Sequence, residues 1–416
     1  CPPQSFFIMT DRLLCISNGH GEDAIARRIL AELRSRHPEV ELAALPLVGE
    51  GTAFQNLGVK LIATTKVLPS GGFIYMDSRQ LARDLKGGLI SLTLAQLKAL
   101  KSWAQGGGAV LAVGDIVPAA FAWWSGLPYA VVGTAKSAYY LKDEQGPLPD
   151  LPWYAGWAGS TYLPWERWLM SRDRCRLAVV RDELTRSELQ QLGLTRVMAG
   201  NPMMDGLAPT AELALSSTDA AALTVCLLPG SRAPEAYANW QLILNAVETV
   251  LQQYAPHPIQ FLGAIAPALA LDDLRQPLHT AGWQPDSDMG TAFHQAHVRL
   301  TLTQTAYADC LHLADAAIAL AGTATEQFVG LGKPAFITPG DGPQFNPTFA
   351  QLQTQLLGPS VILVDSPTQM GGAMAAVLSD RDRRATIQQN GQRRLGPPGA
   401  AAAIAAQLSQ NLELDA

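Results

Sequence analysis

The run Ala316-Ala-Ile-Ala-Leu320 is apolar at every position, and it stops at Ala321-Gly-Thr-Ala-Thr-Glu-Gln327, before Phe328 to Pro334, which reads FVGLGKP. The order is buried strand, small-residue turn, helix start. A strand with no polar alternation belongs in a parallel sheet covered by helices on both faces. The turn presents several backbone N–H groups at a helix N-terminus, where the dipole favours an anion. A second turn of this kind, Leu227-Leu-Pro-Gly-Ser-Arg232, follows the strand-like Leu223-Thr-Val-Cys226 and leads into a long helix. Two anion-ready turns in one domain, one carrying an arginine, point to a ligand with two phosphates, for which a nucleoside diphosphate is the natural candidate.

The same alternation runs through the chain and implies βαβ units. Arg12 to Ser17 reads as a strand and Asn18-Gly-His-Gly-Glu-Asp23 as a turn. Ile25, Ile29 and Leu33 then recur every four residues, the spacing of an apolar helix face. Further strands are expected at Val40 to Val48, Ala109 to Val113, Tyr129 to Val132 and Leu177 to Val180. After Gly200-Asn-Pro-Met-Met-Asp-Gly206 and a weakly patterned linker, Ala208 to Ala222, strands restart near Leu223, Ile259, Val298, Ala316, Ala335 and Val361. At 416 residues two domains are expected. They divide as 1–205 and 206–395, with a final helical segment, 396–416, beyond the helix-breaking Gly396-Pro-Pro-Gly399.

A net charge of −6 argues against a nucleic-acid partner. No apolar run reaches the roughly 18 residues that span a bilayer. Cys1 to Phe7 lacks the basic region and apolar core of a signal peptide. The reading places the natural start near Met9, with a lipid-bearing Cys1 as the alternative. The five cysteines form no CxxC pair and the seven histidines no HExxH set, so a metal or haem is not expected. The expected compartment is the reducing cytosol.

Several residues carry candidate chemistry. His20 lies between two glycines at a strand–helix turn, the place where open α/β sheets meet ligands. Glu22 and Asp23 would repel a phosphate there, so this loop suits a second substrate, and the acids also suit a helix start. Asp115, in Val113-Gly-Asp-Ile-Val-Pro118, is a candidate general base at a strand's carboxyl end, or a helix cap. Ser231 and Arg232 are candidate diphosphate ligands, Arg232 through a bidentate contact. Thr323 and Thr325 would add hydroxyl donors, and Glu326 and Gln327 would reach a ribose or sugar hydroxyl. Gln344 and Asn346 would read sugar hydroxyls, or stabilise a turn. Trp153, Trp157, Trp165 and Trp168 crowd one segment with Tyr154 and Tyr162, near Lys136, Lys142, Arg167 and Arg172. That density suits a membrane interface or apolar groove, or an aromatic core under a long loop.

These motifs resemble lipid-A-disaccharide synthase, and more closely the group of lipid-A-disaccharide-synthase-related proteins. The closer resemblance runs from SNGHGEDAIA (Ser17 to Ala26) to GPPGAAAAIA (Gly396 to Ala405). It passes through PSGGFIYMDS (Pro69 to Ser78), AVGDIVPAAFAW (Ala112 to Trp123), VGTAKSAYYL (Val132 to Leu141), YLPWERWLM (Tyr162 to Met170) and GNPMMDGL (Gly200 to Leu207). The likeness to the synthase itself rests on LPGSR, GTAT and GKP. It implies a GT-B fold: two Rossmann-like, doubly wound domains facing a cleft, with the last helix packing back on the first.

The implied reaction is inverting, metal-free transfer of a sugar from a UDP-sugar, as substrate rather than cofactor, to a lipid-linked hydroxyl. The enzyme would be cytoplasmic, with possible contact to the inner membrane face. Asp115 resembles the synthase's catalytic aspartate, and His20 resembles the glycine-loop histidine of the peptidoglycan N-acetylglucosaminyltransferase. Donor binding would fall on Gly230, Ser231, Arg232, Gly322, Thr323, Ala324, Thr325, Glu326, Gln327, Gln344 and Asn346. The acceptor side would fall on Asn18, Gly19, Gly21, Glu22 and Lys136. The chain departs from the synthase in three places: NGHGED replaces an AGExSGD-like loop, Gln327 stands where a glutamate is expected, and GNP replaces GHP. A UDP-N-acetylglucosamine 2-epimerase and a non-catalytic nucleotide-sugar binder are the alternatives.

Overall fold

The structure is a computed structural model that describes residues 10–63, 89–149, 151–213, 222–286, 291–340, 342 and 345–414. The side chains of His20, Leu89 and Ile90 lie outside that description. So does the Pro69 to Ser78 motif. The chain divides into two units: residues 1–205 with 398–416, and residues 206–397.

Unit 1 begins with β1 (Arg12–Ser17), α1 (His20–Arg36), β2 (Glu41–Pro46), α2 (Thr52–Gln55) and β3 (Lys60–Leu61). It continues with α3 (Leu89–Ala104), β4 (Ala109–Val113), α4 (Ile116–Ser125) and β5 (Tyr129–Val132). A small ribbon follows, β6 (Lys142–Asp143) and β7 (Gly146–Pro147), then α5 (Pro164–Met170), β8 (Cys175–Val180), α6 (Glu183–Gln191) and β9 (Val197–Ala199). The main sheet has the order β3-β2-β1-β4-β5-β8-β9 and is parallel throughout. Strand alternation divides its side chains between two cores. Leu13 and Cys15 pack in one with Ile25, Ile29 and Leu33 of α1; Leu14 and Ile16 pack in the other with Ala119 and Phe121 of α4. The chain's last helix, Ala400–Leu412, joins the first core through Ala401, Ile404, Ala405 and Leu408.

Unit 2 contains β10 (Leu223–Leu228), α7 (Glu235–Tyr254), β11 (Ile259–Ala264), α8 (Leu271–Thr280), β12 (Gln284–Pro285), β13 (Ala292–Gln295) and β14 (Val298–Thr303). Then come α9 (Tyr307–Leu313), β15 (Ala316–Ala319), α10 (Thr323–Gly330), β16 (Ala335–Ile337), α11 (Pro347–Leu357), β17 (Val361–Leu363), α12 (Met370–Ser379) and α13 (Arg381–Leu395). The last helix of unit 1 is therefore α14. The unit 2 sheet runs β12-β13-β14-β11-β10-β15-β16-β17, parallel except at the β12–β13–β14 edge. Ala316 to Ala319 are all buried, as an all-apolar central strand requires.

The first helix begins earlier than the turn-rich spelling Asn18 to Asp23 suggests. It opens at His20, so that only Asn18 and Gly19 form the turn. Glu22 and Asp23 occupy its first turn and Arg34 and Arg36 its last, each on the favourable side of the helix dipole. Among the described residues no helix is long and apolar enough to cross a membrane.

Candidate functional site

Both sheets reverse strand order next to their first strand. In unit 1 the reversal lies between β1 and β4, in unit 2 between β10 and β15. The loops leaving such a pair diverge, which opens a crevice at the strands' carboxyl ends. Asn18, Gly19 and Asp115 gather at the reversal of unit 1, and Gly230 to Arg232 with Gly322 to Ala324 at that of unit 2.

In unit 1, Ser17 and Val113 end β1 and β4 in register. Gly114 has φ +131, and a Cβ there would stand 1.9 Å from Asn18 Oδ1 and 3.3 Å from Glu22 Cγ. Glycine at this position is what lets the two loops meet. Asn18 Oδ1 is buried and finds no hydrogen-bond partner among the described residues. Buried polar atoms of this kind are normally satisfied, so a donor from a ligand or water fits here. Asp115 is half-buried, and its Oδ1 accepts from Val117 N at 2.8 Å, capping α4. The cap foreseen as one role of this aspartate is therefore made, at the same edge as Asn18. His20 opens α1, Gly19 is buried and Gly21 exposed. A Cβ on Gly19 would lie 3.1 Å from Glu22 Oε2, so the carboxylate folds back over the loop.

The residue undervalued in the sequence is Asp23. It is 3% exposed, and Ser17 Oγ donates to its Oδ1 at 2.5 Å. Burial pushes its carboxyl up to about 6; the Ser17 bond opposes this and the charge of Glu22 adds to it. The bond closes the Ser17-to-Asp23 loop on itself, locking the segment that carries Asn18 and His20.

Lys136 lies beyond the end of β5. Its Nζ pairs with Glu166 Oε2 at 2.5 Å and stands 5.7 Å from the Tyr162 ring centroid. Tyr162 is buried, its hydroxyl without a partner among the described residues. The neighbouring aromatics are not a core. Trp153 is 95% exposed, Trp157 67%, Trp165 50% and Trp168 43%, with Tyr154 and Trp124 also exposed. Arg172 stacks 4.5 Å over Trp168.

In unit 2 the two anion-ready turns stand side by side. Leu228 of β10 registers with Ala319 of β15. The Asn239 side chain of α7 donates to both Pro229 O and Leu320 O, at 3.1 Å each, and ties the turns together. Gly230 (φ +100) makes the first turn, with Leu320 O only 3.4 Å from where its Cβ would stand. Ser231 and Arg232 are exposed on it.

The two turns lead into their helices differently. After Arg232 the helix begins only at Glu235, a buried carboxylate that accepts from Phe345 N at 2.7 Å. This negative charge already answers the α7 dipole, which leaves the Ser231 and Arg232 side chains as the donors of that turn. The start of α10 also has a buried acid in its first turn, Glu326, here one turn further in. Gly322 supplies no side-chain cap, so the first N–H groups keep their capacity for an outside acceptor. Thr323 is exposed and Ala324 half-buried beside them.

Other donor-side residues divide. Thr325 is fully buried and its hydroxyl donates to Ala321 O, just before its own helix, so it does not serve as a surface donor. Glu326 and Gln327 are buried, and Tyr307 Oη donates to Gln327 Oε1 at 2.7 Å. Asn346 caps α11 by accepting from Phe349 N at 2.9 Å, the turn-stabilising role. Gln344 lies outside the described residues. Thr338, just beyond β16, has a buried hydroxyl without a partner among the described residues.

No protein-family model and no curated protein sequence matches the chain. Solved structures match it over almost its whole length. The calicheamicin glycosyltransferase CalG4 is 15% identical with a TM-score of 0.60, covering 97% of this chain and 98% of that one. MurG of Acinetobacter baumannii is 10% identical with a TM-score of 0.56, covering 96% and 99%. The UDP-GlcNAc 2-epimerase of Neisseria meningitidis, solved with UDP-GlcNAc bound, is 13% identical with a TM-score of 0.54, covering 96% and 100%. At these identities the likeness concerns fold: the chain has the GT-B architecture of two Rossmann-like α/β units.

Proposed function

We propose that the chain is a UDP-sugar-dependent glycosyltransferase acting on a lipid-linked or otherwise apolar acceptor. The observation that carries the reading is the pairing of the Gly230–Arg232 and Gly322–Ala324 turns at the strand reversal of unit 2, joined by Asn239. One turn brings a guanidinium and a hydroxyl, the other an uncapped helix start. Together they suit two adjacent phosphates. The structural relatives named for UDP-GlcNAc and for glycosyl transfer support the same ligand class.

In this reading unit 2 takes the donor and unit 1 the acceptor. Asp115 or His20 removes the proton of the acceptor hydroxyl. The freed oxygen attacks the anomeric carbon on the face opposite the diphosphate, and the bond from that carbon to the diphosphate oxygen breaks with inversion. The α10 start and Arg232 stabilise the charge that develops on the leaving diphosphate. Lys136, Asn18, Gly19, Gly21 and Glu22 line the acceptor side. The exposed tryptophans let the protein rest on a membrane and reach a lipid acceptor from the surface.

A second reading, epimerisation at the sugar's second carbon, is favoured by the epimerase among the structural relatives. The two are separated with one set of incubations. The transferase releases UDP only when a lipid acceptor is added; the epimerase exchanges solvent hydrogen at that carbon without one. A thermal-shift panel of nucleotide sugars tests the ligand class itself, since a ligand at 100 times its dissociation constant adds about 2.7 kcal/mol. Absence of any shift with UDP or UDP-sugars would sink both readings.

A further inference from the structure

The Lys136 ammonium has three N–H donors and no acceptor. One donor goes to Glu166 Oε2, and no second acceptor for it stands among the described residues. The side chain is 31% exposed, so the remaining donors can be reached. The lysine is also held in place. Glu166 is buried, and the same Oε2 accepts from Leu163 N at 2.8 Å, across the start of α5. Ser137, next in the chain, is buried; its Oγ donates to Asp182 Oδ2 at 2.6 Å and accepts from Tyr139 N at 3.1 Å. Ala138 N donates to Thr185 Oγ1 at 2.8 Å. These bonds fix the loop after β5 and the direction of the ammonium, and they leave part of its donor capacity unclaimed.

A second unclaimed donor lies beside it. Tyr162 is 4% exposed and packs with Met170, Ala178 and Val180, its ring centroid 5.7 Å from Lys136 Nζ. Its hydroxyl reaches the end of β5, where a Cβ on Gly133 would stand 2.2 Å away. That hydroxyl and the neighbouring one of Thr161 are buried without a partner among the described residues. Burial, helped by the charges of Glu166 and Asp182 and opposed by Arg181, pushes the Tyr162 phenol up, so it keeps its proton and can donate. Donors without acceptors, one of them charged, match an acceptor-rich anion, and ionised phosphate is such a group. The surroundings are apolar and cationic. Trp165 and Trp168 project from the helix that carries Glu166, and Trp157 stands against Trp165. Arg172 stacks on Trp168 and makes no ion pair among the described residues.

We propose that Lys136 and the Tyr162 hydroxyl form a subsite for the phosphate of an amphiphile whose hydrocarbon lies on Trp157, Trp165 and Trp168. The inference rests on the acceptor reading of unit 1 and narrows it to a phosphate-bearing acceptor. Lys136 and Tyr162 donate to the phosphate. Glu166 acts through Lys136 and is a positioning residue.

The test is a calorimetric titration of the full-length protein with decyl phosphate, decyl β-D-glucoside and inorganic phosphate, the decyl compounds kept below their micelle concentrations. Wild type binds decyl phosphate about tenfold or more tighter than either of the others. Lys136→Met keeps the stem and removes the charge, and it weakens decyl phosphate by about tenfold or more. Lys136→Arg keeps a cation and retains the preference. Tyr162→Phe removes the hydroxyl alone and weakens decyl phosphate by about fivefold, the value of one hydrogen bond. Decyl glucoside binding is unchanged in all three. Because the Tyr162 hydroxyl has no partner in the free protein, Tyr162→Phe melts at or above the wild-type temperature. A lower melting temperature in that variant overturns this inference alone. So does unchanged decyl phosphate affinity in Lys136→Met or Tyr162→Phe, or an equal loss for both decyl compounds. Inorganic phosphate bound as tightly as decyl phosphate marks a free-ion site and overturns the amphiphile. Wild-type protein that binds neither decyl compound overturns the apolar-acceptor reading and the inference with it.

Discussion

Asp23 is the residue whose chemistry costs the fold most visibly. Its folded value of about 6 lies above the 3.8 expected of a free aspartate. Folding therefore favours the protonated form. The stabilising contribution is fully present below the free-aspartate value and is lost as pH rises through about 6. At pH 8 the buried carboxylate costs on the order of 2–3 kcal/mol relative to a neutral group. Asp23→Asn keeps an acceptor for Ser17 and removes the charge. We expect its melting temperature to exceed that of wild type at pH 8 and the gap to shrink at pH 5; a pH-independent difference would remove the carboxylate as the cause. Asp115 is tested by function instead. Asp115→Asn retains an oxygen to cap α4, so the fold should persist. Turnover should fall by about 10²–10⁴-fold if this residue is the base, with UDP affinity unchanged. Survival of activity would transfer the role to His20, to be checked by His20→Ala.

At the level of elements, the tryptophan segment gives the sharpest test. A buried aromatic pair would lose several kcal/mol on replacement by serine. Trp157 and Trp165 are 67% and 50% exposed, their ring centroids 6.5 Å apart. Replacing both by serine should therefore leave the melting temperature within a few degrees of wild type and reduce sedimentation with anionic liposomes. A large fall in melting temperature with unaltered liposome binding would refute the membrane role. Sequence alone left this open, because aromatic density is the same for a core and for an exposed face. These strands were legible, since Leu13–Ile16 of β1, Ala109–Val113 and Ala316–Ala319 are apolar runs that a parallel sheet demands. The start of α1 was not, because Asn18 and the glycines on either side of His20 spell a turn as readily as a helix entry. Nor was the setting of Asp309, which accepts from the backbone N–H groups of Thr210, Ala211, Glu212 and Leu213 and so leaves no trace in residue type. The Tyr307–Gln327 bond depends on β15 bringing distant loops together, and Thr325 looked like a ligand donor because composition does not tell which side of a helix start a hydroxyl takes.

For the molecule as a whole, the decisive feature is that unit 1 is assembled from both ends of the chain. Ile404, Ala405 and Leu408 of α14 are fully buried in the same core as Leu13, Ile29 and Val113. Asp205 secures the start of that helix, accepting from Gly399, Ala400 and Ala401 N–H groups. Removing residues 398–416 would strip several side chains worth about 1.5–3 kcal/mol each from the core of unit 1. We expect such a truncation to expose unit 1 to protease before unit 2, the reverse order being the result that excludes this account. A ribosome delivers the chain N-terminus first, and domains ordinarily fold as they emerge. Here one face of the unit 1 sheet, already packed in part by α1, must wait for α14 while some 190 further residues are synthesised, so unit 2 is expected to close before unit 1 is complete.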